Sequence, residues 1–429
     1  MNIISEILRP MPKVLYLEPY FGCNYRCRFC IHGGGHQITH VQLGVRAFEH
    51  LKPLIEKTSH VHMTGLGEPF LNANLADYLA YFGKNGKSYY INTNGSLVED
   101  AHIDLMTASP SELAVSLDAG DRKTYETVRC GGNWDRVLAR VKRVSRMKAE
   151  RNSPYPLLYL SFHINALNLT SLNTMPELAR DLGIDAVKLS WTQLPQGSRD
   201  HSVFGNQDTV NHLLRDVTSQ LHASGIHVTN EARFRKHARG CWNLTEMAFV
   251  RANGAVAACC SRWIPVGNIH DNGFEDIWNG AARRRLALGI VNGCPEPECR
   301  DCRQIRGADY AHNEEDFFKP TDLDLAVPAE KTKNIGPLPS LEGLDAHFRS
   351  GVASLMGGDL QAAAGIFSAL ESKFPDFFEI KNNLAAAYCY LGDLEKSREV
   401  LNSIRSIPHN WKLVQWNHEF LQRSWSGAS

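Results

Sequence analysis

Apolar and polar positions along the first 230 residues follow two periods in turn. Val14-Leu15-Tyr16-Leu17 is a short apolar run, as a buried strand requires. From Val41 to Ser59 the spacing becomes helical, with Phe48, Leu51, Leu54 and Ile55 on one face. Strands are expected again at His60 to Thr64, Ser88 to Asn92, Leu113 to Leu117, Leu157 to Ile164 and Ala186 to Ser190. Between and after them lie helical patterns at Leu75 to Gly86, Val98 to Thr107, Trp134 to Ala149, Pro176 to Leu182 and Asp208 to Ala223. Strands that alternate with helices pair in parallel through right-handed crossovers. Six units are too few to close an eight-unit barrel. The expected fold is therefore α/β: a partial (β/α)6 TIM-like barrel over residues 1–232, with functional residues at the C-terminal ends of its strands.

From about Arg233 the pattern changes. Phe249 to Ala258 predicts a hairpin turning at Asn253-Gly254. Cysteines flank it, and a small Cys-rich domain is expected over 233–312. Residues 313–339 are acidic, then Pro- and Lys-containing, with little periodicity, and read as a linker. Beyond Leu341 the pattern is purely helical, which predicts an all-helical module over 340–429.

Composition narrows the class. Hydrophobic residues make up 43% and charged residues 21% of 429, with zero formal net charge. No basic excess points to nucleic acid, and no apolar run is long enough for a transmembrane helix. The first ten residues carry Glu6 and Arg9 and make a poor signal peptide. The expected location is the reducing cytoplasm, where the 11 cysteines are not expected to form structural disulfides. Nine of them fall at 23–30 and 241–302, a clustering that points to metal.

Cys23, Cys27 and Cys30 share one loop after the first strand, spaced Cx3Cx2C. A four-iron cluster wants four ligands. Three from one loop leave an iron open, which the amino and carboxylate groups of S-adenosylmethionine (SAM) can chelate. A zinc site using Cys27 and Cys30 is the alternative, although zinc usually takes two such pairs.

This segment resembles the signature of the radical SAM superfamily, with Phe29 at its usual aromatic position. Thr64-Gly65-Leu66-Gly67-Glu68-Pro69 is similar to that family's glycine-rich motif. The resemblance implies that Gly65, Gly67 and Glu68 belong to a segment that binds the SAM amino group. It also implies SAM contacts for Asn94, Ser116, Asp118, Arg129 and Asn165 at the following strand ends. Asn94, Asp118 and Asn165 can equally be turn or cap residues.

In the second cluster, Cys241, Cys259, Cys299 and Cys302 are the expected ligands, with Cys260 and Cys294 spare or substituting for one of them. A structural zinc site on the same residues is the alternative. The region resembles the auxiliary-cluster extension of radical SAM enzymes, called SPASM in its longer form and twitch in its shorter. The Cx2Cx5Cx3C run of the longer form is absent, so the expected cofactors are one SAM-binding [4Fe-4S] cluster and one auxiliary [4Fe-4S] cluster. At the C-terminus, Gly358-Asp359-Leu360 recurs as Gly392-Asp393-Leu394, 34 residues later, a period that resembles the tetratricopeptide repeat. A last helix is expected around Trp411 to Leu421. Plain helical packing is the plainer reading of these repeats; peptide or carrier docking and a homodimer are the alternatives.

His32, His36 and His40 surround a glycine run after the cysteines and could line a pocket; a flexible loop is the plainer reading. Cys130 follows Arg129 and is the candidate catalytic thiol, able to return a hydrogen atom to a substrate radical; a buried spare cysteine is the plainer reading. Cys389 reads as core. The resemblance implies an enzyme that cleaves SAM to a 5′-deoxyadenosyl radical and takes a hydrogen atom from a substrate, with an external electron donor such as flavodoxin or ferredoxin. The expected substrate is a small sugar, aminocyclitol or nucleoside-like intermediate that is oxidised or rearranged. The alternatives are a ribosomally made peptide, epimerised or cross-linked, and a non-catalytic metal scaffold whose repeats bind a partner.

Overall fold

A computed structural model describes residues 11–33, 39–192, 194, 199–203, 207–230, 243–259, 264–280, 282–284, 286, 287, 299, 344–375 and 377–404. Its strands are β1 (Val14–Leu17), β2 (Tyr20–Phe21), β3 (Val41–Gln42), β4 (His60–Met63), β5 (Ser88–Thr93), β6 (Ser111–Ser116), β7 (Leu157–Ile164), β8 (Ala186–Trp191), β9 (His227–Asn230), β10 (Met247–Val250), β11 (Ala255–Ala257) and β12 (Pro265–Asn268). One sheet runs in the order β12-β11-β10-β1-β4-β5-β6-β7-β8-β9, while β2 and β3 form a separate pair. From β10 to β9 all neighbours are parallel, and β10-β11-β12 is antiparallel. Among the described residues no ladder joins β9 back to β12, so the sheet stays open, as a partial barrel must.

One face of each parallel strand is apolar and packs on the helices. Leu15, Leu17, Val61, Met63 and Ile91 join Phe48, Leu51, Leu79, Phe82, Val137 and Val141 in one core. Each such side chain contributes about 1.5–3 kcal/mol on burial. The opposite face carries rings. Tyr16 stacks on His62 at 4.4 Å and on Phe249 at 6.0 Å, and His62 lies 5.0 Å from Tyr90. These rings run across β10, β1, β4 and β5 on that face of the sheet.

The structure changes several sequence-based boundaries. The helix expected from Val41 begins only at Val45 and runs to Lys57, because Val41 and Gln42 pair with Phe21 and Tyr20. A further parallel strand, β9, follows the helix Gln207–Ala223. The hairpin at Asn253-Gly254 forms, but it is not separate from the barrel. Its first strand, β10, pairs with β1 from Val14↔Met247 to Leu17↔Val250. The barrel sheet therefore continues across the boundary expected at 232/233.

The C-terminal helices Leu344–Met356, Leu360–Lys373, Phe378–Tyr390 and Leu394–Asn402 share a core built on Phe348, Phe367, Ile380 and Leu384. The two Gly-Asp-Leu copies are two equivalent turns. Asp359 caps its helix by accepting the Ala362 N–H, and Asp393 does the same for Lys396. The helix expected at Trp411 to Leu421 and the 313–339 linker lie outside the described residues.

Candidate active site at the C-terminal ends of the strands

Backbone bonds fix the cysteine loop to the end of the helix Arg122–Val128. Arg26 N–H donates to Cys130 O at 2.8 Å and Arg28 N–H to Val128 O at 2.9 Å. Tyr25, 4% exposed, anchors the loop beneath. Cys23, Cys27 and Cys30 are all half-buried and not disulfide-bonded. Cys23 Sγ accepts the Tyr25 N–H at 3.4 Å and faces Asn94 Nδ2 at 3.8 Å, and Cys27 Sγ lies 3.7 Å from Arg129 Nη1. Burial pushes the Cys23 thiol up to about 12, and raises Cys27 likewise against the pull of Arg129. A bound cation inverts that preference and holds the sulfurs as thiolates.

The residues fit an iron–sulfur cluster. Three thiols sit on one rigid loop, and N–H donors of the kind that stabilise cluster thiolates point at two of the sulfurs. Among the described residues no three Cys, His, Asp or Glu side chains converge on one point as ligands of a single ion do. The irons of a cluster each take their own cysteine.

The glycine-rich turn follows β4. A Cβ on Gly67 would lie 1.9 Å from Tyr20 O, so only glycine permits this approach to the loop that leads to Cys23. Glu68 is 1% exposed, and its carboxylate accepts from Thr93 Oγ1 at 2.6 Å, Asn94 N at 2.7 Å and Phe70 N at 3.2 Å. Burial raises its pKa, with those bonds opposing. Glu68 is thus committed to bracing the turn against the end of β5.

Asn94 donates to Asn24 Oδ1 at 2.8 Å and accepts the Ser96 N–H at 2.9 Å. Ser116 donates to Asn92 Oδ1 at 3.0 Å. Asp118 has φ 56°, a left-handed conformation that Asp tolerates. It accepts the His163 N–H at 2.8 Å, lies 3.0 Å from His163 Nδ1 and pairs with Arg129 at 2.5 Å. Burial pushes Asp118 up, but Arg129 and His163 outweigh it and leave the carboxyl at about 2. A chain of contacts therefore runs from Cys27 through Arg129 and Asp118 to His163 on β7.

Asn165 is 2% exposed and saturated by its own surroundings, with Leu167 N–H on its oxygen at 3.0 Å and Thr192 Oγ1 3.1 Å from its nitrogen. The side chain is a turn brace. Phe29 packs on His201, ring centroids 5.2 Å apart. Cys130 is half-buried, its thiol 3.5 Å from Thr127 O. His32 is 3% exposed and its Nε2 donates to Leu66 O at 2.6 Å, so it is a brace and not a pocket lining. His40 lies against the Tyr20 hydroxyl at 3.2 Å, and His36 lies outside the described residues.

Of the second cysteine set, Cys259 is half-buried just past β11 and Cys299 is buried. Cys241, Cys302, Cys260 and Cys294 lie outside the described residues. Sequence reasoning missed Glu18, His163 and Asn168. Asn168 is fully buried and donates to Asp118 O at 3.0 Å and His163 O at 2.8 Å, tying the ends of β6 and β7 together. The position of His163 on the same face of β7 as Tyr159 and Ser161 was the one available signal for it.

The Radical SAM superfamily domain matches residues 17–161, and the SPASM iron-sulfur cluster-binding domain matches residues 241–303. These domains imply a [4Fe-4S] cluster that binds SAM, together with auxiliary iron–sulfur chemistry in the SPASM region. The chain is 23% identical to an AdoMet-dependent heme synthase of Methanosarcina barkeri, over 63% of this chain and 83% of that protein. It is 24% identical to a tungsten-containing aldehyde ferredoxin oxidoreductase cofactor-modifying protein of Pyrococcus furiosus, over 73% and 91%. It is 22% identical to the antilisterial bacteriocin subtilosin biosynthesis protein AlbA of Bacillus subtilis, over 65% and 62%. Streptococcus suis SuiB bound to precursor peptide SuiA shares the fold with TM-score 0.51 and 14% identity, over 66% of this chain and 67% of that one. Native anSMEcpe with bound AdoMet does so with TM-score 0.52 and 14% identity, over 69% and 88%. Among the described residues no helix is long and apolar enough to cross a membrane.

Proposed function

From the premise that this chain is a radical SAM superfamily enzyme with an iron–sulfur SPASM domain, we propose that it abstracts a hydrogen atom from a small natural-product intermediate, which is then oxidised or rearranged. The observation that carries the reading is the Cys23, Cys27 and Cys30 loop, with Asn94 and Arg129 aimed at its sulfurs. When bound there, the cluster supplies one electron to SAM, which yields methionine and a 5′-deoxyadenosyl radical. The chain's own residues orient and enclose. Glu68 holds the glycine turn, and Asp118 orients Arg129, whose Nη1 faces Cys27 Sγ. In this reading Phe29, Gly65, Gly67, Asn94, Ser116, Asp118 and Asn165 shape the SAM pocket, with Glu68, Asp118 and Asn165 acting through the turns they brace. Cys241, Cys259, Cys299 and Cys302 hold one auxiliary cluster.

The contiguous rings of Tyr16, His62 and Tyr90 support a compact substrate, because they occupy the sheet face opposite the helices. A second reading, a peptide substrate, is favoured by SuiB, whose structure holds a precursor peptide, and by AlbA, named for bacteriocin biosynthesis. Anaerobic reconstitution with iron and sulfide tests the core of the proposal. About eight irons are expected, falling to about four when Cys23, Cys27 and Cys30 are replaced by Ala, with deoxyadenosine formed only by the unmutated protein under dithionite. About twelve irons would mean two auxiliary clusters, and bound zinc without deoxyadenosine would overturn the enzyme reading. Faster SAM cleavage with a protease-treated small-molecule extract supports the first substrate reading, and acceleration lost on protease treatment supports the second.

A further inference from the structure

Glu18 lies between Leu17 and Pro19 at the end of β1, fully buried. Its carboxylate is divided between two parts of the molecule. Oε1 accepts the Leu66 N–H at 2.8 Å, inside the glycine-rich turn. Oε2 accepts the Ala252 N–H at 3.2 Å and lies 3.6 Å from Arg251 Nε, both in the turn between β10 and β11 within the SPASM region. The Glu18 N–H donates to Val250 O at 2.8 Å, so its backbone is bound to the same hairpin. Arg251 is 3% exposed, and its guanidinium carbon lies 5.4 Å from the centre of the Phe21 ring.

The Leu66 peptide is gripped from both sides. Glu18 holds its N–H, and His32, two residues beyond Cys30, holds its carbonyl at 2.6 Å. A Cβ on Gly65 would lie 2.4 Å from Glu18 Cγ, so the turn rests directly on this side chain. The β1 strand itself does not require an acid here, and a buried carboxylate is costly unless every bond is made. Removing Arg251 leaves that charge without its cation, and the carboxyl then takes up a proton or moves, either of which weakens its hold on the Leu66 or Ala252 N–H.

We propose that Glu18 is a positioning residue that couples the SPASM hairpin to the SAM-binding turn, with Arg251 holding Glu18 and Glu18 holding Leu66. The inference rests on the proposed SAM-binding role of residues 64–68. A residue of the auxiliary region thereby sets SAM affinity without touching SAM.

The test uses the full chain, reconstituted anaerobically, with deoxyadenosine formation measured against SAM concentration. R251M, of similar length but uncharged, is expected to raise the KM for SAM about tenfold while kcat changes less than about twofold. It is also expected to weaken the change that SAM causes in the electron paramagnetic resonance spectrum of the reduced cluster. R251K, which restores the cation, should recover most of the affinity. If R251M yields no folded protein, E18D reads the same coupling, because it keeps the charge and withdraws it by one methylene. An R251M protein with full iron content and an unchanged KM overturns the inference, as does an unchanged KM in E18D. If the unmutated protein makes no deoxyadenosine, the SAM-binding reading fails first, and the coupling fails with it.

Discussion

Two regions of this molecule are built on opposite principles. At the strand ends around Cys23–Cys30, geometry is held by buried polar groups that each serve several partners. Glu68 binds three donors, Asn168 reaches two carbonyls, and Asp118 joins Arg129 to His163. In the repeat helices from Leu344 to Asn402, geometry is held by apolar packing around Phe367 and by two Asp caps. The first kind of construction is intolerant. Removing one partner leaves another buried polar group unmatched, a cost comparable to the interaction itself. The second degrades gradually, because packing losses scale with the volume removed. The difference suits a site that must aim reactive groups, a demand that helix-on-helix packing does not meet by itself.

The comparison breaks most sharply at the cysteines. Cys27→Ala is expected to lower iron content by about four per chain and to reduce deoxyadenosine to the level of protein-free controls. Iron assay and mass spectrometry check both. Asp118→Asn removes the carboxylate charge that Arg129, its side chain 12% exposed, faces at 2.5 Å. Breaking such a pair from one side costs about 3–5 kcal/mol. The loss should appear as a lower denaturation midpoint together with lost SAM cleavage, and separation of the two effects would count against a rigid polar scaffold. Phe367→Ala, at a fully buried position in the repeat core, should cost about 3–5 kcal/mol within the module. SAM cleavage is expected to persist there, so impaired cleavage would show that the module supports the barrel.

The same contrast explains what could be read from the chain. The Cx3Cx2C loop, the glycine turn and the 34-residue repeat are local patterns, and local patterns survive in a sequence. Most barrel strands were visible as short segments set between helical patterns. β9 was not, since His227–Asn230 is four residues with little apolar character. The pairing of β10 with β1 was hidden for another reason: its partners, Val14 and Met247, are far apart in sequence. Glu18 shows the limit most plainly. Within the sequence it is one acid beside a short apolar strand, and its partners Leu66 and Ala252 lie 48 and 234 positions away. Braces such as Asn165 and Glu68 were legible as residues of the site, but whether they face SAM or the protein depends on bonds that no spacing specifies.

An intermediate effect concerns the rings inside the barrel. Burial, then His60 and Lys188, push His62 down to about 3 from its ordinary 6.5. The folded protein therefore resists the proton that the unfolded chain accepts. The His62 contribution to stability is present above about pH 6.5 and is lost as pH falls towards 3, by about 1.4 kcal/mol per pH unit across that window. His62→Phe keeps a ring between Tyr16 and Tyr90 and removes the titration. Its urea midpoint should fall less between pH 7 and pH 5 than that of the unmutated protein, and equal slopes would show that His62 does not carry the acid sensitivity.

The smallest expected effect lies at the repeat turns. Asp359 accepts the Ala362 N–H at 3.1 Å and Asp393 the Lys396 N–H at 3.2 Å, each satisfying one of the first free donors of its helix. Replacing either by Ala should cost about 1 kcal/mol, the usual value of a lost cap. Asp393 has the additional ion pair with Lys396, but that pair is exposed and adds little. If the two turns are equivalent units of one repeat, the two variants should lower the module's unfolding midpoint by similar amounts and leave SAM cleavage unchanged. A much larger loss from Asp359→Ala would mean that the first turn also carries contacts beyond its own helix, and that the 34-residue symmetry of the sequence is not a symmetry of the energetics.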